Sequence, residues 1–491
     1  MSALPVLILA PMLLFAFIST LLGIWRATLA YAAAVLGSTL SLIAAAVGLF
    51  HVLTVGELRH YFGGWPPPFG IEYVLDPLSA FMAIIIVFIG SIVLIYPPRA
   101  GLYQVPRTGI PLYGIMMLLL VGLLGVVVTG DLFNLFVFLE IYSLSSYTLI
   151  TLGGRRALVA SFRYLILGTI AGGFYLLGVG FIYLATGSLN MADVAQLLPP
   201  IYESPAVVAG AALIVIGLGI KMALFPLHVW LPDAHSHAPS VVAAILASIQ
   251  VEVAAYVLIR MLLTVFQPQY LSEYLPVTTL IGWAGATGII VGSVMAIAQR
   301  DFKRMLAHST VAQIGYIGLG IGLANPLGLI GALLHILNHA FMKSCLFLVA
   351  GGIRHQTGLR EIPRFVGLGR RMPWMMGAFT MAALAMVGVP PTCGFFSKWY
   401  LILGSIAANN WVFVAAIAAS TLLTAVYFFR IIEKIYAYPT PSSDRQDVAL
   451  NIEPPARILV PILILAAGVL ILGLINAVIV TQVLERIAAA L

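Results

Sequence analysis

Charge is what this sequence has least of. Only 8% of its 491 residues are Asp, Glu, Lys or Arg, against about 25% in a soluble domain, so most of the chain cannot face water. Cysteine is nearly absent: Cys345 and Cys393 both sit inside apolar runs. Two isolated thiols give no framework for an iron–sulfur cluster, haem or zinc, and they read as small buried hydrophobes. No phosphate loop, dinucleotide fingerprint or metalloprotease motif occurs. No Lys or Arg precedes the first apolar run, Leu4 to Leu22, and no convincing cleavage site follows it. That run is expected to be a retained span rather than a signal peptide.

What fills the chain is hydrophobe, 62% of it, in runs of about twenty residues, the length a helix needs to cross a bilayer. The pattern predicts an all-α polytopic membrane protein with fourteen spans, centred near Leu13, Leu40, Ile85, Leu119, Ile141, Leu176, Leu213, Glu252, Gly288, Gly315, Leu337, Ala385, Ala419 and Leu470. Lys and Arg should gather on the cytoplasmic side. With the N-terminus outside, the inward loops hold Arg26, Arg99, Arg107, Arg155, Arg156, Arg163, Arg300, Lys303, Arg304, Arg354, Arg360, Arg364, Arg370, Arg371, Arg430, Lys434, Arg445 and Arg457. Only Arg59, Arg260 and Arg486 fall outside. This asymmetry predicts a multi-pass protein of the cell membrane (the inner, cytoplasmic membrane) with both termini on the outer side. The net charge of +7 then needs no nucleic acid: it is a cytoplasmic rim facing anionic lipid or a partner.

Three basic residues remain, Lys221, Lys343 and Lys398, all within apolar runs and none an arginine. Lysine gains and loses a proton readily when buried, whereas arginine stays charged. Among the acids only Glu140 and Glu252 lie near mid-membrane. A charge there costs roughly 2.5–3.5 kcal/mol on insertion scales, so such residues usually face the protein interior and mark an ion or proton path. In "LLHILNHAFMKSCLF", His335, His339 and Lys343 follow one another every four residues, which puts them on one helix face about 6 Å of rise apart. The stripe reads as a relay, with hydrogen-bonded packing histidines as the alternative. Lys343, nearest the cytoplasmic end, could instead snorkel to the interface. Two spans are interrupted, at Pro226 and Pro232 beyond Lys221 and at Pro390, Pro391 and Gly394 before Lys398. Broken helices at membrane depth are tolerated where they line a cavity, and paired breaks point to inverted repeats. The alternative is an ordinary proline kink.

"TGDLFNLFVFLEIYSLSSY", "GIKMALFPLHVWLPDAHSHAPS", "AQRDFKRMLAHSTVAQIGY", "LLHILNHAFMKSCLFL" and "GVPPTCGFFSKWY", in this order, resemble the antiporter-like membrane subunits shared by respiratory complex I, membrane-bound hydrogenases and Mrp-type sodium/proton antiporters. The resemblance covers essentially the whole chain. "TGSLNMADVAQLL" is most like the Mrp D-type subunit, and "LPDAHSHAPS" is more like the redox-driven complexes. The family fold implies one membrane domain with spans 1–3 (1–108), two inverted five-helix repeats (spans 4–8, 109–266; spans 9–13, 274–436) and span 14 (456–484), with spans 7 and 12 broken. By resemblance Glu140 is the fifth-helix glutamate and Lys221 the seventh-helix lysine. His335 and His339 match the eleventh-helix polar positions, and Lys398 the twelfth-helix lysine. The family's eighth helix usually carries lysine or histidine at the position that here, counting back from "AYVLIR", is Glu252.

The resemblance implies a subunit that moves protons through two half-channels joined across mid-membrane, within a complex of other membrane subunits. Lys221 would be the central carrier, held protonated by Glu140, with His335 and His339 passing protons sideways to Lys398. Glu252 would place a second carboxylate beside Lys221. It is then either a neutral donor, a site for a cation such as sodium (Glu140 being the other candidate for one), or a protonated acid bonded to a backbone carbonyl. Asp233, His235 and His237 form either the cytoplasmic mouth or a solvated polar loop. The chain is expected to hold no cofactor, so any electron transfer occurs in partners. With its end at Leu491, shortly after span 14, the chain is expected to lack the long lateral helix of the distal complex I subunit. Two rival readings are a stand-alone transporter of a small solute, which needs a roomy midplane cavity, and a non-transporting assembly subunit, which needs no buried lysine.

Overall fold

The computed structural model describes residues 3–96, 111–437 and 452–490; Arg99, Arg107, Arg445 and the boundary placed at residue 108 lie outside them. Among the described residues, ten helices are long and apolar enough to cross a membrane. Shorter apolar helices and the more polar Phe302–Gly322 complete the set. Read in chain order they make the fourteen expected spans. These are span 1 (Leu4–Trp25), span 2 (Ala27–Thr54), span 3 (Pro77–Ile95), span 4 (Leu112–Val128), span 5 (Leu132–Thr151), span 6 (Arg155–Thr186) and span 7 (Pro205–Lys221, then Leu231–His237). Then follow span 8 (Ser240–Val265), span 9 (Val277–Ile297), span 10 (Phe302–Gly322), span 11 (Pro326–Thr357), span 12 (Pro373–Val387, then Cys393–Ala407), span 13 (Trp411–Tyr436) and span 14 (Ala456–Leu474).

Both expected interruptions are present. The first half of span 7 ends at Lys221, beyond which Ala223 adopts a left-handed φ of 59°. The first half of span 12 ends at Val387, where Gly388 at φ 92° turns the chain out of the helix. Polar side chains start other spans by accepting from free backbone N–H groups of the first turn. Asp131 caps span 5 through Asn134, Asp301 caps span 10 through Arg304, and Asn325 caps span 11 through Gly328. Spans 9 and 10 meet through glycine: a Cβ on Gly285 would sit 2.6 Å from the Gly315 carbonyl. The glycine clusters thus serve close helix packing.

Spans 8 and 11 form the centre, their apolar windows wholly buried, whereas most of span 1 faces outward. A small hairpin, β1 (Leu58–Tyr61) paired antiparallel with β2 (Glu72–Leu75), caps one end. Arg260, expected in an outer loop, instead lies in the last turns of span 8 and is nearly buried. Its guanidinium grips both oxygens of Asp76 at 2.5 and 2.9 Å, and Asp76 in turn caps span 3 through Ser79. Arg486, in the short helix Glu485–Ala490 that follows span 14, donates to the Leu53 carbonyl near the end of span 2 at 2.5 Å.

Burial alone would push the Asp76 carboxyl up, but Arg260 and Ser79 hold it down at about 2. A value below the unfolded one of about 3.9 means a contribution fully present above that pH and lost as pH falls through about 2. Asp76→Asn should therefore cost about 3 kcal/mol at neutral pH, because it leaves Arg260 buried without its counter-ion. Thermal unfolding in detergent from pH 3 to 7 checks this: the wild-type melting temperature should drop below about pH 4 and the variant's should not.

Candidate functional site

Lys221 stands at the end of a half-helix, in the break of span 7. Its Nζ donates to Ser143 Oγ at 2.6 Å and to Glu140 Oε1 at 3.3 Å, and lies 5.5 Å from the Tyr142 ring centre. Glu140 and Ser143 are three residues apart on span 5 and so share a face. A Cβ on Gly172 of span 6 would come within 2.5 Å of Glu140 Oε1, so only glycine leaves the carboxylate its place. The Lys221 side chain is 2% exposed and that of Glu140 27%, so the acid end of the pair opens toward the protein's surface.

A polar brace that the sequence reading missed supports this break. Gln250 accepts from Ser146 at 2.8 Å and donates to the Tyr164 hydroxyl. Tyr164 stacks on Trp230 at 4.0 Å, and the Trp230 indole donates to the Ile220 carbonyl at 2.9 Å, one residue from Lys221. The available signal was a lone glutamine two positions before Glu252 in an otherwise apolar run.

Glu252 lies in the regular turns Val251–Ile259 of span 8, between two π-helical stretches, Leu246–Gln250 and Arg260–Val265. Such turns are rare and collect at functional sites. The carboxylate is not a second counter-ion to Lys221. Its Oε1 lies 2.5 Å from His339 Nδ1 on span 11, and both side chains are completely buried. Span 11 runs through the core at that point and supplies the imidazole, while Lys221 is taken up by span 5. Glu252 Oε2 and His339 Nε2 have no partner among the described residues. His339 stacks on His335 with ring centres 6.2 Å apart. His335 Nε2 lies 3.0 Å from Gln313 Oε1, to which it donates, and Nδ1 lies 2.9 Å from Ser397 Oγ. A neutral Nε2–H imidazole satisfies both contacts. One residue on, Lys398 donates to the Met386 and Val387 carbonyls at 3.0 and 2.9 Å, and lies 5.1 Å from the Tyr316 ring centre. These carbonyls are the free acceptors at the end of the first half of span 12, where a cation is favoured.

The remaining candidates divide. Lys343 does not snorkel: it is fully buried and donates to the Leu306 carbonyl at 2.8 Å and to Ser309. Asp233 stays at the rim, paired with Arg163 at 3.1 Å and Arg304 at 3.9 Å. His237 Nδ1, 2.9 Å from the Asp233 carbonyl, is also near the rim. His235 departs from the expected mouth. Its short helix turns it inward, fully buried between Trp230 and Phe347, and neither ring nitrogen has a partner among the described residues.

Residues 129–424, from the end of span 4 into span 13, match the family described as "NADH:quinone oxidoreductase/Mrp antiporter, TM". The chain belongs to that family. The matched stretch contains both titratable clusters. The chain is 51% identical over 467 residues to the N-type subunit of NADH-quinone oxidoreductase of Desulforudis audaxviator, covering 92% of each. It is 33% identical over 442 residues to the D-type subunit of the Na(+)/H(+) antiporter of Alkalihalophilus pseudofirmus, covering 90% of this chain and 87% of that one. Its fold superposes on a chain of the membrane-bound sulfane sulfur reductase, an archaeal respiratory membrane complex, with a TM-score of 0.89, 30% identity and coverage of 98% and 96%. The likeness to a D-type antiporter chain read from the motifs therefore stands beside a higher identity to an N-type oxidoreductase chain. In this antiporter-family chain the two clusters are the Glu140–Ser143–Lys221 group and the line Glu252–His339–His335–Lys398.

Proposed function

We propose that this chain is the proton-translocating membrane subunit of a multisubunit respiratory or antiporter complex in the cell membrane. Its spans 4–8 and 9–13 act as inverted repeats, and both termini lie outside. The observation that carries the reading is a set of titratable side chains at the two helix breaks and along the buried core, each held by another helix or a broken helix end: Lys221 by span 5, Glu252 by span 11, and Lys398 by the first half of span 12. A non-transporting assembly subunit would have no use for lysines in these places.

In the first cluster Glu140 and Ser143 hold Lys221 in its protonated form, since an opposite charge within about 4–6 Å favours the charged state. Withdrawal of Glu140, whose side chain opens to the surface, releases the proton. In the second, Glu252 gives its proton to His339 through their hydrogen bond. The stacked His335 and Lys398 carry the charge onward to the far half of span 12. The chain needs no cofactor of its own for these steps, and any redox step belongs to partner subunits.

The assembled complex in sealed vesicles tests this. Lys398→Ala should lower proton flux by about a hundredfold, the low end of what a positioned proton-transfer group contributes, with the complex still assembled. Unchanged flux would remove the second cluster from the path.

A further inference from the structure

We infer that the groove between the first half of span 12 and span 14 binds one anionic glycerophospholipid. An acyl chain would lie in the groove and the phosphate against Arg370 and Arg371. The groove has a volume of about 640 Å³, within the roughly 300–1,000 Å³ range of sites that hold a small molecule. Pro373, Trp374, Gly377 and Met381 form one wall, with Leu463 and Ala467 on the other. No lining side chain carries a charge, so a hydrated solute has no partner there, whereas a hydrocarbon chain does. Gly377 leaves open space beside its backbone, with no atom within 4 Å of where a Cβ would stand. The missing side chain deepens the groove into a shallow trench at that point.

One end of the trench is distinct. Trp374, 66% exposed, stands at its mouth, as tryptophan does where hydrocarbon meets headgroups. Arg370 and Arg371 lie just before the lining residues Pro373 and Trp374, separated from them by Met372, and Arg457 is in the first turn of span 14, which forms the other wall. Arg371 is fixed through its carbonyl, which accepts from the Ile452 N–H at 3.0 Å, and its buried Nε has no partner among the described residues. Glu453, an acid at this end, already accepts from the Trp374 and Met375 N–H groups at 2.5 and 3.3 Å. It thus occupies the helix start, while exposed Arg370 and part-buried Arg371 are the cationic residues next to that end of the groove. Apolar trench, interfacial tryptophan and clustered arginine at one end together match an anionic lipid better than a neutral one.

The test uses the assembled complex, stripped of weakly held lipid and titrated with phosphatidylglycerol or with phosphatidylcholine of the same acyl chains, while native mass spectrometry counts lipids retained on this chain. One phosphatidylglycerol should remain where phosphatidylcholine does not. R370Q combined with R371Q should weaken its retention by roughly thirtyfold. Gly377→Leu, which fills open space and touches neither titratable cluster, should abolish retention while assembly and proton flux stay at wild-type levels. Equal retention of the two lipids, unchanged retention in Gly377→Leu, or displacement by an isoprenoid quinone would each overturn the proposal.

Discussion

Lys221→Ala should abolish proton flux in the assembled complex, a loss of about 10²–10⁴-fold for a group that must itself take and give the proton. Alanine alone would not separate a titrating role from a structural one, because it also leaves Glu140 without its cation. Lys221→Arg separates them. Arginine keeps the charge and can still bond Glu140 and Ser143, but it does not release a proton in a protein. The arginine variant should therefore assemble like the wild type and still fail to move protons, measured as quenching of a pH-sensitive dye in sealed vesicles. Substantial flux through Lys221→Arg would mean that Lys221 only holds spans 5 and 7 together.

The second large effect concerns Glu252 and His339. At 2.5 Å, with both side chains fully buried, they are expected to titrate as one unit, so each single neutral replacement should stop the same step. Glu252→Gln and His339→Gln should each reduce flux by about 10²-fold, and the two together should do little more, because residues that act as a unit are not additive. Exchanging the pair, Glu252→His with His339→Glu, restores an acid–imidazole contact across spans 8 and 11 and should recover flux to within about tenfold of wild type. Full activity in Glu252→Gln would reduce the carboxylate to a packing group. Glu252→Lys, which installs one of the two residues usual at this place in the family, should not rescue, since it puts an ammonium with no counter-ion into a completely buried contact.

The span count, both breaks and the buried charges Glu140 and Lys221 were legible in the sequence because each has a one-dimensional signal: run length, proline, or a charge where charge is penalised; that the two pair was implied only by the resemblance to the family. The His335–His339 stripe was legible from its spacing of four. What the sequence could not tell was which neighbour each buried group meets. Glu252 was expected beside Lys221 and bonds His339 instead, because partner choice depends on how spans 8 and 11 pack, and no periodicity records that. Lys343 was placed by its nearness to a span end, yet the acceptors Leu306 and Ser309 on span 10 hold it inside. His235 was read as a mouth residue because it sits among Asp233, Ser236 and His237, but one helical turn sends neighbours in opposite directions. Arg260 counted as a loop charge until Asp76 was found beside it. Ser143, Gln250, Gln313 and Ser397 were overlooked because uncharged polar residues are common enough in membrane helices to pass as background.

The winding of span 8 bears on how members of this family are compared residue by residue. A π-turn takes in one residue more than the α-turn it replaces, so each of the two stretches that flank Val251–Ile259 shifts the count by one. A relative that lacks the first bulge would match this chain correctly when numbered from the Arg260 side up to Ile259, and be one position out when numbered from Pro239. Glu252 lies on the inner side of both bulges, next to the first. An alignment that places its gap a few residues away would therefore pair Glu252 with an apolar neighbour, and the carboxylate would read as an oddity of one sequence. Superposed helices, not matched letters, decide which residue of a relative occupies its place.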